Sequence, residues 1–272
     1  MLTVILSAQC SDAGVCSIHK QSLLNKKEAV YSAGYSLGLS EDANRLTIHT
    51  FHLGAEGYIF SDTRYSVTIP IHGISGALGS LIGLGDVVGI ITVNPPKSDV
   101  SFSGGVRLAT GNDNQGGLPQ QYQPGLGTND LLLGIAYTKQ KFIFAAGYQR
   151  STGRSKNRLT ELKRGDDLLF RMTYSDEYDE IRDYSISLLY INHFTEMSVV
   201  SYSSAAPFSG KSYVSVNGSD QKQLNLLVQA GWKLESRTRV VIEGAFPFFK
   251  RPLNLDGLSR AFTLGLAAYF NY

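Results

Sequence analysis

The chain has 272 residues, with 25 Lys and Arg against 23 Asp and Glu, and its formal charge of +2 gives no reason to expect a nucleic-acid partner. Charged residues make up 18%, below the usual quarter, while 28 Gly, 15 Tyr and 13 Phe suit a surface that faces lipid around a tightly packed interior. No apolar run approaches the roughly 18 residues of a spanning helix, which excludes that class but leaves room for a barrel of about ten to fourteen strands at roughly 10 spanning residues each.

The first stretch, Leu2 to Leu6 followed by Ser7-Ala8, is similar to the end of a secretory signal, with cleavage near Ala8, Gln9 or Cys10. It is short and lacks a positive n-region, so the true start is expected upstream of Met1, and residues 1–27 are read as a signal remnant and periplasmic leader. A lipid-modified Cys10 is the alternative, weakened by Gln9 standing where a small residue is wanted. Cys10, Cys16 and His19 are too few for a zinc site, so no metal and no cofactor is expected; the two thiols form a local disulfide or stay idle.

From Glu28 the chain alternates as strands do, every second side chain sharing a face. Glu28 to Ser40 sets Ala29, Tyr31, Ala33, Tyr35, Leu37 and Leu39 against Val30, Ser32, Gly34, Ser36 and Gly38. After the Glu41-Asp42-Ala43-Asn44 turn, Arg45 to Phe60 sets Phe51, Leu53, Ala55 and Ile59 against Thr50, His52, Gly54 and Glu56. Ser61-Asp62 returns the chain into Thr63 to Ile71, where Pro70, unable to donate to a ladder, is expected near the strand's end. His72 to Gly85 is read as a Gly-rich connection and Asp86 to Asn94 as the next strand. From Asp99, Val100, Phe102, Val106 and Leu108 oppose Ser101, Ser103, Gly105 and Arg107.

A polar loop, Asn112 to Thr128, precedes a hairpin of Asn129 to Thr138 and Lys141 to Gln149, and a basic loop follows, with Arg150, Arg154, Lys156, Arg158, Lys163 and Arg164 against the acid Glu161. Asp167 to Tyr174 turns Phe170 and Met172 away from Arg171 and Thr173. Asp183 to Phe194 does the same with Ile186 and Leu188 against Ser185, Ser187 and His193. The longest connection, Thr195 to Gln221, is expected to hold strand extensions near Met197 to Tyr202 and Ser212 to Val216. Lys222 to Leu234 and Thr238 to Lys250 alternate clearly, and Ser259 to Tyr272 closes the chain on an aromatic-tipped strand.

Twelve strands result, and the short connections follow the even-numbered ones, leaving the long loops at one rim and both termini at the other. That asymmetry, with one oily face per strand, predicts an all-β fold: a transmembrane antiparallel up-and-down barrel spanning residues 28–272. Its address would be the bacterial outer membrane, and its partners the surrounding lipid and the barrel-assembly machinery, engaged through the C-terminal strand. Tyr31, Tyr35, Tyr137, Tyr148, Tyr174, Tyr184, Trp232, Phe270 and Tyr272 would supply aromatic girdles. An eight-stranded soluble cup would need polar outer faces instead.

Several segments carry a resemblance: Gly83-Leu84-Gly85-Asp86, Ala109-Thr110-Gly111, the run Gly125-Leu126-Gly127-Thr128-Asn129-Asp130-Leu131-Leu132-Leu133-Gly134, and Glu243-Gly244-Ala245-Phe246-Pro247-Phe248 followed by Leu255-Asp256-Gly257-Leu258. Together they resemble the outer-membrane barrels of the meta-pathway phenol-degradation type and, more distantly, channels for fatty acids and aromatic hydrocarbons. The resemblance implies passive diffusion of small hydrophobic or aromatic molecules and brings no binding-site motif with it. Two features differ: Gln9 to Lys27 is too short for the plug of the fatty-acid channels, and Ala109 stands where Pro is usual.

For a conduit, the lumen-lining candidates are Ser32, Ser36, His52, Glu56, Ser101, Ser103, Arg107, Asp130, Arg171, Gln229, Arg239 and Glu243, since polar rings and pore width set selectivity. The alternative is a structural or surface-binding barrel with a closed lumen, in which Arg107, Arg171 and Arg239 pair with Glu56, Asp130 and Glu243. A third reading, a membrane-embedded hydrolase, lacks a nucleophile elbow: Ser185 and Ser187 lie roughly 20 to 26 Å along one strand from His193. No catalytic residue is expected. The loop Arg150 to Arg164 suits either phosphorylated sugars of the outer leaflet or plain solvation, and Asn217-Gly218-Ser219 is read as a chance turn.

Overall fold

A computed structural model describes residues 29–41, 44–203, 210–249 and 251–272. The leader with Cys10, Cys16 and His19 lies outside the described residues, as do Asp42 and Ala43 of the first turn and Lys250. Among the described residues fifteen strands form in order: β1 Val30–Leu39, β2 Thr47–Phe60, β3 Thr63–Gly76, β4 Gly79–Leu84, β5 Val87–Val93, β6 Val100–Leu108, β7 Asn129–Lys139, β8 Phe142–Thr152, β9 Asp167–Glu177, β10 Arg182–His193, β11 Ser198–Ser203, β12 Gly210–Ser215, β13 Lys222–Glu235, β14 Thr238–Phe249 and β15 Phe262–Asn271. All ladders are antiparallel. The wall runs β1-β2-β3-β5-β6-β7-β8-β9-β10-β13-β14-β15 and closes where β15 pairs with β1, from Val30 opposite Asn271 to Leu39 opposite Phe262. The twelve wall strands form a closed barrel, the form in which strands pair their backbone inside hydrocarbon, and β4 is ladder-paired on one side, with β3.

Alternation sets the two faces. Leu132 is 0% exposed, while its neighbour Leu133 is 46% exposed. Phe51, Ile69, Phe102, Ile135, Phe144, Phe170, Leu188 and Leu266 are likewise exposed on the outside. At the short-turn rim aromatic rings gather: Tyr31 meets Tyr272 edge-on at 5.8 Å, and Phe142 lies 5.2 Å from Tyr174. At the long-loop rim Tyr148 stacks on Phe194 at 6.1 Å and Phe246 lies 5.0 Å from Phe262. Oily side chains between aromatic belts make the exterior a lipid-facing surface.

The stretch from His72 to Gly85 is not a connection. β3 continues to Gly76 and turns into β4, so Pro70 lies inside a 14-residue strand rather than near its end. Below Pro70, β3 pairs with β5 (Thr68 opposite Val88); above it, with β4 (Ile71 opposite Leu84). Between those pairs β3 has Ile69 and Pro70, whereas the facing chain has Gly85, Asp86 and Val87. The extra residue is a bulge, placed where proline has no donor to lose. The strand extensions expected in the longest connection form the hairpin of β11 and β12, which stands off the barrel.

Inside, Val88, Ile90, Leu132, Leu169, Leu189, Ile191 and Leu227 make an apolar layer, and Val30, Val241, Ala267 and Tyr269 a second one nearer the short turns.

Candidate functional site

All twelve candidate lumen residues occupy inward-facing positions, in two different environments. Ser36, His52, Ser103, Arg107, Asp130, Arg171, Gln229, Arg239 and Glu243 are buried, whereas Ser32, Glu56 and Ser101 are partly exposed. Arg64, Ser66 and Thr68, which face inward from β3, are partly exposed as well. Exposure inside a barrel means a gap. The register places Ser32 beside Gly54, Gly54 beside Thr68 and Glu56 beside Ser66. A crevice lined by the Ser32, Ser66 and Thr68 hydroxyls and by Glu56 and Arg64 therefore follows β1, β2 and β3, while the opposite half of the interior is packed solid.

The crevice ends below two histidines. The Thr50 hydroxyl lies 2.9 Å from His72 Nδ1, and the His52 ring packs against Gly34. A Cβ on Gly85 would come within 2.9 Å of Pro70 and would also strike the His72 ring, so only glycine lets the bulge pass beneath the imidazole.

Three of the segments that carried the resemblance, those around Asp86, Thr110 and Gly125, meet at this bulge. Asp86 accepts hydrogen bonds from Gly111 N at 3.0 Å and Leu126 N at 2.7 Å. Val87 N, which has no partner on β3, donates to Thr110 Oγ1 at 3.0 Å, and Ala109 N donates to Asn129 Oδ1 at 2.8 Å. Gly111 and Gly125 cross so closely that a Cβ on Gly125 would lie 2.6 Å from the Gly111 carbonyl carbon. The loop between them is thereby tied to the wall, and it drops Tyr122 into the mouth against Leu46, Ile48 and Ile74, where its hydroxyl accepts from Leu78 N at 3.1 Å. Gly125→Val is expected to detach this loop without unfolding the wall; limited proteolysis of the folded protein should show new cleavage between Ala109 and Thr128. Cleavage unchanged from wild type would mean that the crossing is not what holds the loop.

Beside Tyr122 the long-loop mouth is sealed by charge. Asp130 pairs with Arg107 and accepts from Gln149, and Arg164 Nη1 donates to it at 3.1 Å. Arg164 also reaches Asp167 and Asp256, each at 3.3 Å; Arg251 holds Asp256 at 3.0 Å; and His193 Nδ1 pairs with Asp167. Asp256 belongs to the connection after β14, outside the spanning strands. Burial pushes its carboxyl up, but the Arg251 and Arg164 guanidiniums outweigh burial and hold it below the usual aspartate range.

Of the pairings proposed from sequence, Arg107 with Asp130 forms a salt bridge, and Arg171 is attracted electrostatically by Glu243. Arg239 pairs with Asp183, while Arg171 donates to Thr173 and Ser187 hydroxyls, each at 3.2 Å. Sequence reasoning missed Arg164, Arg251, Asp256 and Tyr122, which sit in loops that have no alternation to read. Ser66, Thr68 and His72 were legible as alternate residues flanking Pro70.

Above the rim, Lys211 and the Tyr202 and Tyr213 hydroxyls converge on Glu161, and Arg154 lies 3.7 Å over the Tyr213 ring. Hydrogen bonding, foremost from Lys211, holds the Glu161 carboxyl below its usual range.

A closed antiparallel barrel with an oily exterior, aromatic rims, short turns at one end and long loops at the other is the architecture of outer-membrane β-barrel proteins. No family profile and no curated protein sequence matches the chain. Among solved structures it is similar to the COG4313 outer membrane channel from Pseudomonas putida F1, at 12% identity and a TM-score of 0.69, over 92% of this chain and 97% of the other. The translocator domain of the autotransporter NalP from Neisseria meningitidis gives a TM-score of 0.55 at 10% identity, over 95% and 92% of the two chains. The Ralstonia pickettii toluene transporter TbuX gives 0.47 at 11%, over 91% and 90%.

Proposed function

We propose that the protein is a passive outer-membrane conduit for small hydrophobic or aromatic molecules, in which the solute follows the crevice along β1, β2 and β3. The observation that carries this is the partial exposure of Ser32, Glu56, Arg64, Ser66 and Thr68 within an otherwise packed interior. The crevice ends at the bulge, where the wall is held by loop contacts in place of one ladder bond, so it is the part of the wall a solute could part at least cost. The similar Pseudomonas putida barrel is described as a channel, which fits, although NalP is a reminder that a shared barrel can serve other ends.

The sealed mouth favours a second reading, a barrel whose loops do the work while the lumen stays shut. Liposomes separate the two. Vesicles with the purified protein are expected to take up phenol and toluene faster than protein-free vesicles, and Thr68→Trp and Ser66→Trp, which fill the crevice, to return uptake to the bare-lipid rate. Uptake that never exceeds bare lipid would falsify the conduit and leave the closed barrel.

We assign the chain no catalytic step. His193, the residue on which a hydrolase would have rested, is fully buried within the charge seal with Asp167, out of a substrate's reach. Residues 1–27 are proposed as a leader, and the last strand, ending in Phe270 and Tyr272, as the segment offered to the barrel-assembly machinery.

A further inference from the structure

Five glycines on the lipid-facing side of the wall can be compared by what a Cβ would meet. At Gly57 the Tyr65 ring already fills the space at 2.8 Å, at Gly244 the Phe246 ring does so at 3.1 Å, and at Gly73 the His49 Cβ stands 3.8 Å away. At Gly89 and Gly104 nothing of the protein lies within 4 Å. The two are neighbours on the wall, since Gly89 faces Val106 across the β5–β6 ladder and Ile91 faces Gly104. They form the floor of an apolar groove of about 750 Å³ walled by Tyr65, Val67, Ile91, Phe102, Val106 and Leu131. The groove is apolar and open along its length to the surroundings, as a place for a chain lying on the wall would be.

The groove lies on the oily band, so what fills it is hydrocarbon. It opens at Tyr65 and Phe102, next to the turns after β2 and β5, in the periplasmic leaflet of an outer-membrane barrel, and runs up the wall to Val106 and Leu131, near the long-loop ends of β6 and β7. A bare backbone floor between branched walls gives a flexible chain contact on three sides, where a flat wall gives it one. We propose that this groove is a binding site for one acyl chain of a periplasmic-leaflet phospholipid, held in place while the surrounding lipids exchange. The site is independent of whether the lumen conducts.

The test is native mass spectrometry of the full chain in detergent, titrated with dipalmitoyl phosphatidylethanolamine. Wild type is expected to retain one lipid under activation that strips the rest. Gly89→Val and Gly104→Val place methyl groups where the chain would lie and are expected to weaken that retention about tenfold. Ala146→Val, on a lipid-facing position of β8 outside the groove, should retain the lipid as wild type does. Because both glycines face open space the variants should fold, which the heat-dependent shift of barrels in gel electrophoresis reports. Should valine prevent folding, Gly104→Ala replaces it, with a smaller loss expected. Equal retention in all variants overturns the proposal. So does a change of the glycine variants from dimer to monomer, which would make the occupant a second copy, or displacement of the lipid by toluene at equal concentration, which would make it the solute.

Discussion

Asp130→Ala is expected to destabilise the folded barrel by about 3–5 kcal/mol, measured by urea unfolding in lipid vesicles. The carboxylate is shared by Arg107 and Arg164, both fully buried, so its removal takes a counter-charge from each at once and leaves Arg164 to Asp167 and Asp256. Desolvating a cation is repaid only while its counter-charge stays in place. A loss below about 1 kcal/mol would show that Asp167 and Asp256 already satisfy Arg164 and that Arg107 finds another acceptor. In vesicles the same substitution should raise ion leakage, because the sealed mouth is built on this residue. Stability lost without leakage would place the barrier to ions lower down, in the apolar layer around Leu132 and Leu189.

Leu133→Arg is expected to cost about 2–4 kcal/mol in the same assay, the penalty for a cation facing hydrocarbon near mid-span. The control is Lys139→Arg, at the end of the same strand, where the side chain is already in water and paired loosely with Asp99 at 4.0 Å. A Leu133→Arg protein as stable as wild type would contradict the lipid-facing assignment of the exterior. Because Leu133 and Leu132 are adjacent, this substitution also separates an oily exterior from an oily interior.

Those outcomes rest on a part of the fold that was plain in the sequence. Alternation has one period, so once Tyr35 or Phe144 is placed outside, its neighbours follow without tertiary information. It fails where the phase changes. Upstream of the bulge Ile82 and Leu84 face outward at even positions; downstream Val87 and Ile91 do so at odd ones. A single run of Gly-rich sequence spanning that change shows neither phase, which is why β4 reads as a loop. Proline misled in the same way: it does avoid ladders, but here the ladder is interrupted to suit it.

The functional region was legible by half. The inward faces of Ser32, Glu56 and Ser101 follow from period two. Which inward residues keep a gap around them does not, because that depends on what crosses the lumen from other strands. The seal was opaque for a simpler reason. Asp256 and Arg164 are separated by most of a hundred residues and meet only because two loops fold into the same mouth.

The ladder that joins β1 to β15 has a kinetic consequence. Other neighbours around the wall are close in sequence, joined by turns, loops or inserted hairpins, and pair at smaller entropic cost. This seam brings Tyr31 to Phe270 across nearly the whole chain. Until the last strand has been made, the first presents ten residues of unmatched backbone, so the cylinder has no stable half-built form and its insertion should be concerted, limited by the arrival of its final segment.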